Sequence, residues 1–244
     1  MQKEQYQLMF DQDKKHWWYV GNRIIIFSLL EKYWGKKTGL RILDAGCGTG
    51  MNMIKLSRFG TVHGIDASDE ALEFCKLNNL KNLKNASVED IPFNDNSFDL
   101  VTSFEVLYHK NVKDYNKAII EFYRVLDKGG LLVLRLPAFN MLYGGHDVVV
   151  HGARRFTIKQ VENSVISAGF KIEKITYVNF ISFFPVLILR TIQRAFGLKK
   201  NKADTSIEQG LLNTFLIAWL KLEARFLNHF NIPLGVSVLC IARK

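Results

Sequence analysis

LRILDAGCGTG, residues Leu40–Gly50, decides the fold. An apolar run, Leu40–Asp44, enters a turn in which Gly46, Gly48 and Gly50 alternate with other residues. Glycine accepts backbone conformations that other residues resist and lets a ligand approach the main chain closely. The spacing is G-x-G-x-G, unlike the G-x-G-x-x-G of a dinucleotide-binding turn. A helical segment, Met51–Phe59, follows, and then a second strand, Thr61–Asp66, in VHGIDAS. Asp66, with Ala67 beside it, stands about 20 residues past the glycines, where a carboxylate can accept both hydroxyls of a ribose.

Outward from this turn, strand and helix signals alternate. Ser68 is the expected cap of a helix through Asn78, with Asp69 and Glu70 in its first turn. A weak strand is expected near Leu83–Val88 and a strong one at Phe98–Phe104. Tyr115, Ile119, Phe122 and Leu126 give helical spacing within Val112–Leu126. Asp127–Gly130 reads as a turn and Leu131–Leu136 as a buried strand. Thr157 caps a helix that ends at Gly169; strands at Phe170–Val178 and Gly235–Lys244 complete the set. Seven strands alternating with helices predict an α/β fold: a mostly parallel sheet with helices on both faces. The whole chain, 1–244, is read as one domain, with a helical cap over 1–38, a core over 39–178 and 234–244, and a helical insert over 180–233. The expected insert helices are Pro185–Phe196 and Ile207–Phe230, joined by the basic stretch Lys199–Lys202.

The turn and Asp66 resemble motif I and the acidic loop of class I S-adenosylmethionine-dependent methyltransferases. VEDIPFNDNSFDLVTSFEVLYH and YRVLDKGGLLVLRLP resemble the fourth- and fifth-strand blocks of the small-molecule (type 11) methyltransferase domain, related to enzymes of quinone biosynthesis. The resemblance covers roughly Leu40–Pro137. It implies a Rossmann-like seven-stranded sheet with a short antiparallel last strand and S-adenosylmethionine as cofactor. The backbone at Gly46, Gly48 and Gly50 would pass the methionine part, Asp66 would grip the ribose, and Asp44 would orient the loop or reach the cofactor's amino group through water. In the family an acid and a small residue before E-D-[IL]-P-F contact the adenine. Here those positions hold Ser87 and Val88, a departure from the pattern. Phe104 would pack along the cofactor. His16-Trp17-Trp18-Tyr19 with Arg23 resembles an aromatic cap before a helix. Trp18 and Arg23 are therefore cofactor-binding candidates, Arg23 for the cofactor carboxylate or an anionic substrate; the competing reading is a cluster that docks the first helix.

On the acceptor side, PAFNMLYGGHDVVVHGARRFT resembles a recurrent block of bacterial and archaeal methyltransferases of this type. It leaves the carboxyl end of a strand, where open α/β sheets place ligands. His146 is the first candidate general base, Asp147 its orienting partner, and His151 and His109 further candidates. Arg154 and Arg155, with Tyr143 and Tyr108, are candidates for binding substrate. Each has a structural alternative as a fastener of the loop. A metal held by His146, His151 and Asp147 lacks a supporting acid cluster, so none is expected.

The 244 residues are 48% hydrophobic, enough for a sizeable core, and carry a net charge of +10, which favours anionic partners. Cys47, Cys75 and Cys240 are too scattered for a disulfide framework or zinc site and read as reduced thiols of a cytoplasmic protein. Asn85-Ala-Ser87 is read as a chance match to a glycosylation acceptor. The longest uncharged run, Ile175–Leu189, is fifteen residues and contains Pro185, short of the ~20 that span a bilayer. The insert reads either as a lid or dimer surface, or as an interfacial element for anionic lipid that would hold the protein peripherally at the inner membrane face. A small-molecule or lipid-linked acceptor is the first expectation. A methyltransferase acting on RNA or another macromolecule is the second, although FEVLYH lacks the Asn/Asp-Pro-Pro-aromatic loop for base amines, so nucleic acid is not expected as a partner. A non-catalytic cofactor-binding subunit is the third.

Overall fold

The computed structural model describes residues 3–35, 37–197 and 210–244. Two helices, α1 (Lys3–Gln12) and α2 (Trp17–Trp34), precede β1 (Leu40–Ala45), α3 (Met51–Leu56), β2 (Gly60–Asp66), α4 (Asp69–Leu77) and β3 (Leu83–Asn85). Then come β4 (Phe98–Phe104), α5 (Tyr115–Val125), β5 (Leu126–Pro137), a short α6 (Gly145–Val149) and α7 (Ile158–Ser167). The chain continues through β6 (Lys171–Val178), α8 (Phe180–Ala195), α9 (Leu211–Leu227) and β7 (Ser237–Arg243). The seven strands lie in the order β3-β2-β1-β4-β5-β7-β6. β1 to β5 pair in parallel, and β7 runs antiparallel between β5 and β6.

The central strands read as nearly continuous apolar runs because helices cover both faces. Leu43, Val101, Leu132 and Leu134 face a core completed by α5 and α7. Ile42, Leu100, Leu131 and Val133 face the opposite core, completed by α2, α3, α4 and α9. Local chemistry sets the helix starts. Asp114 accepts from the N–H groups of Asn116 and Lys117, Ser68 from Ala71, and Thr157 with Gln160 forms a reciprocal cap.

Three expectations change. The stretch Asp127–Gly130 is not a separate turn: β5 starts at Leu126, and a register shift opposite Phe98 and Leu100 absorbs the two glycines. α8 begins at Phe180, five residues before Pro185. The carboxylate of Glu223 on α9 accepts the N–H groups of Asn179 and Phe180, which satisfies the α8 N-terminus. The first insert helix therefore starts where those donors find a partner, and Pro185 forgoes one helical bond inside it. Finally, α2 is more than a cap: Ile25, Ile26, Leu29 and Leu30 are buried, and Leu220, Ala224 and Leu227 of α9 join the same cluster. Asn179 donates to Asn22 at 2.8 Å, tying α2 to both insert helices. Lys199, Lys200, Lys202 and Ile207 lie outside the described residues. Among the described residues, no helix is long and apolar enough to cross a membrane.

Gly46 has φ +85°, and a Cβ there would come within 2.2 Å of the Val106 side chain. Gly46→Ala is expected to lower stability by at least about 2 kcal/mol, measured by urea unfolding, because strain and overlap add. An unchanged midpoint would show that the turn relaxes freely.

Candidate active site

The parallel strands converge at their carboxyl ends on the glycine turn. Gly46, Gly48 and Gly50 have φ of +85°, +55° and +85°, which favour glycine at all three. The turn is held from several sides. Gly46 and Cys47 donate backbone N–H to Ile65 at 2.8 and 2.9 Å. The Cys75 thiol donates to Gly48 O at 3.1 Å, and Asn78 Nδ2 to Thr49 O at 3.0 Å. Asp66 closes it, accepting Gly48 N–H on Oδ2 at 2.9 Å and Ser68 N–H on Oδ1 at 3.0 Å. Each of those oxygens keeps acceptor capacity for a hydroxyl. Ala67 is exposed beside it.

Asp44 lies beneath the turn, 1% exposed. Its Oδ1 accepts from Thr102 Oγ1 at 2.8 Å, and its Oδ2 is buried with no hydrogen-bond partner. Burial pushes its carboxyl up to about 7. Burial also raises Asp66. Two carboxylates near a glycine-lined backbone suit a ligand with hydroxyls and positive charge, and the orphaned Oδ2 marks where such charge would be welcome. These features fit an adenosyl group carrying a sulfonium and an ammonium.

Ser87 and Val88 follow β3. Ser87 Oγ accepts from Glu89 N–H at 3.1 Å, and Val88 is buried. Phe104 is half-buried at the end of β4, packed against the α2-side core. α1, within the expected helical cap, covers the turn: a Cβ on Gly48 would sit 3.2 Å from Met9 Cε, and Tyr6 packs with Phe74 of α4. Arg23 does not face this cradle freely. It forms an ion pair with Asp13, donating to both its carboxylate and its carbonyl, while Asp13 Oδ2 accepts from Thr49 Oγ1 at 3.1 Å. The Trp18 ring packs with Leu142, Phe183 and Val236 and lies under the Arg135 guanidinium.

The acceptor-side expectations divide. Asp147, 1% exposed, accepts from Arg155 Nε at 2.9 Å, Arg155 Nη2 at 3.1 Å and Gly144 N–H at 2.8 Å. Arg155 also donates to Ala138 O. This buried pair fastens the loop after β5. Arg154 donates to Val112 O and covers the Tyr115 ring, and the Tyr143 hydroxyl donates to Gly152 O at 2.9 Å. Tyr108 is buried, and burial raises its phenol, which stays protonated. His109 and His151 stack edge-on at 6.0 Å. Burial brings His109 down to about 4, which makes it a weak base, and desolvation and Lys110 lower His151. His146 stands half-buried in α6.

A model of a methyltransferase domain matches residues 43–134, spanning the turn, β2, β4 and most of β5. Those residues are a methyltransferase domain. Demethylmenaquinone methyltransferase of Staphylococcus aureus is 38% identical over a match covering 50% of this chain and 58% of that protein; the chain thus spans a little over half of that relative. A SAM-dependent methyltransferase from Archaeoglobus fulgidus has the same fold over 98% of this chain and 99% of its own, with TM-score 0.62 and 16% identity. Phosphoethanolamine N-methyltransferase 2 of Haemonchus contortus, solved with S-adenosyl-L-methionine, aligns over 91% of this chain and 52% of its own, with TM-score 0.58 and 21% identity. The architecture is that of the class I methyltransferases.

The unusual Asp44 carries a pH signature. Its folded carboxyl titrates near 7, above the unfolded value of 3.8, so its burial destabilises the fold progressively as pH rises through that window. Asp44→Asn removes the penalty. The variant should melt at least about 2–4 °C above the parent at pH 8, with the gap closing toward pH 4 in calorimetric scans. A constant gap at all pH values would mean Asp44 titrates normally.

Proposed function

We propose that this chain uses S-adenosylmethionine to methylate a small or lipid-like acceptor, working against an anionic membrane surface. The observation that carries the cofactor reading is the left-handed glycine turn set between Asp66 and the half-unpartnered Asp44. When bound, the cofactor supplies an electrophilic methyl group on a sulfonium. Asp66 accepts the ribose hydroxyls, the Gly46–Gly50 backbone takes the amino-acid end, and Ser87 with Val88 borders the base. The firm anchoring of the turn by Ile65, Cys75 and Asn78 supplies the positioning on which an in-line displacement depends. His146, on the short helix of the loop after β5, is the candidate base for an acceptor that must lose a proton. The demethylmenaquinone enzyme among the relatives supports a lipid-like acceptor.

The membrane reading rests on the insert. Phe180, Phe184, Ile188 and Ile192 on α8, and Leu211, Phe215, Trp219, Leu222 and Phe226 on α9, are exposed at spacings of three or four residues. The acid carried by these two helices, Glu223, is buried and engaged with backbone N–H groups. The exposed ionic side chains there, Arg194, Lys221 and Arg225, are all cationic. Apolar stripes flanked by cations suit an anionic interface.

Titration calorimetry should show S-adenosylmethionine binding, weakened about ten-fold or more in Asp66→Ala, as expected for loss of charge-assisted hydrogen bonds; equal affinity would remove Asp66 from the site. The protein should float with vesicles containing phosphatidylglycerol, less so at high salt, and Phe184→Glu with Phe215→Glu should abolish flotation. Absence of flotation would leave the stripes as a lid or a dimer surface.

A further inference from the structure

Arg135 is the lone charge in the apolar run LLVLRLP of β5, close to the carboxyl end of that strand. It is 7% exposed. Its Nε lies 3.2 Å from Glu105 Oε1 as an ion pair, and neither Nε nor Nη1, both buried, has a hydrogen-bond partner. The guanidinium carbon lies 5.6 Å from the Trp18 ring centroid, and Tyr19, Tyr108 and Arg23 are near enough to share its field. The other arginines of this region are engaged differently: Arg23 with Asp13, Arg155 with Asp147 and Ala138 O, Arg154 with Val112 O. A guanidinium presents five donors in a planar fork, and burying them unsatisfied is unfavourable. Glu105 faces the Nε edge of the fork, which leaves Nη1 for a second acceptor.

We propose that Arg135 receives an anionic oxygen of the methyl acceptor, a carboxylate or an ionised phenol or enol, with the attached ring or chain lying along Trp18. This rests on the methyltransferase reading and narrows its acceptor to molecules carrying such an oxygen. Arg135 sits two residues before the carboxyl end of β5, at the edge of the sheet where open α/β folds bind ligands, with β4 between it and β1. Its position opposite Phe104 places it next to Glu105, whose backbone N–H donates to Arg135 O at 2.9 Å. The pair is thus built from adjoining strand ends. Glu105 serves as the counter-charge that keeps the cation in place before an acceptor arrives.

The test uses the full chain, with and without S-adenosylhomocysteine, titrated with 2-naphthoate and with its neutral counterpart 2-naphthamide. Naphthoate should bind at least ten-fold more tightly than naphthamide. Arg135→Met should make the two equal while S-adenosylhomocysteine affinity stays within two-fold, which also reports that the variant is folded. Arg135→Lys, which keeps the charge without the fork, should retain part of the preference. Equal binding by the parent, no naphthoate binding, or a preference surviving in Arg135→Met overturns the anion subsite. A parent that fails to bind S-adenosylhomocysteine overturns the methyltransferase reading itself, so the two failures are distinct.

Discussion

At the end of β1 the chain turns through three left-handed positions, at Gly46, Gly48 and Gly50. That turn lets Gly46 pack against Val106 after β4 and brings Gly48 N–H onto the Asp66 carboxylate at the end of β2. Three strand ends are thereby drawn to one point. Side chains on these glycines would meet Val106, Met9 and Leu80, so the covering helix α1 is placed by the same constraint. The cradle is a property of the main chain, and its chemistry comes from the two aspartates that the turn leaves on either side.

Electrostatics then separates fastening from function. A buried ion pair with both partners hydrogen-bonded holds structure, as Asp147 and Arg155 do beneath the loop after β5. A buried polar atom without a partner calls for another explanation. Asp44 Oδ2 and Arg135 Nη1 are two such atoms, one at the end of β1 and one near the end of β5. Their opposite charges suit a cationic donor on one side and an anionic acceptor on the other. The insert adds a third feature, an apolar and cationic surface beside the acceptor side, where Phe183 of α8 joins Trp18 and Leu142.

The sheet was legible because the parallel strands are buried on both faces and their apolar runs are dense; Phe98–Phe104 was placed to the residue. The glycine turn was legible because its conformation restricts the residue type. The β5 start was not, since Gly129 and Gly130 signal a turn locally while strand pairing continues around them. Nor was the start of α8: Pro185 reads as a helix beginning, and the true start is set by Glu223, distant in sequence. Among site residues, hydrogen-bond saturation could not be read from residue type. Arg154, Arg155 and Arg23 drew notice as charges in loops and caps, and each is held by a local partner. Arg135 was passed over inside an apolar strand, although a single charge in LLVLRLP was the available signal.

Transfer of a methyl group from the cradle to a small or lipid-like acceptor is measured by incubating the protein with S-adenosylmethionine labelled in its methyl group, a cell extract and its membranes, and separating the products by phase. Label is expected in the organic-extractable or small-molecule fraction, dependent on the protein and absent with Asp66→Ala. Label confined to the nucleic-acid or protein fraction, or no label transferred, would contradict it.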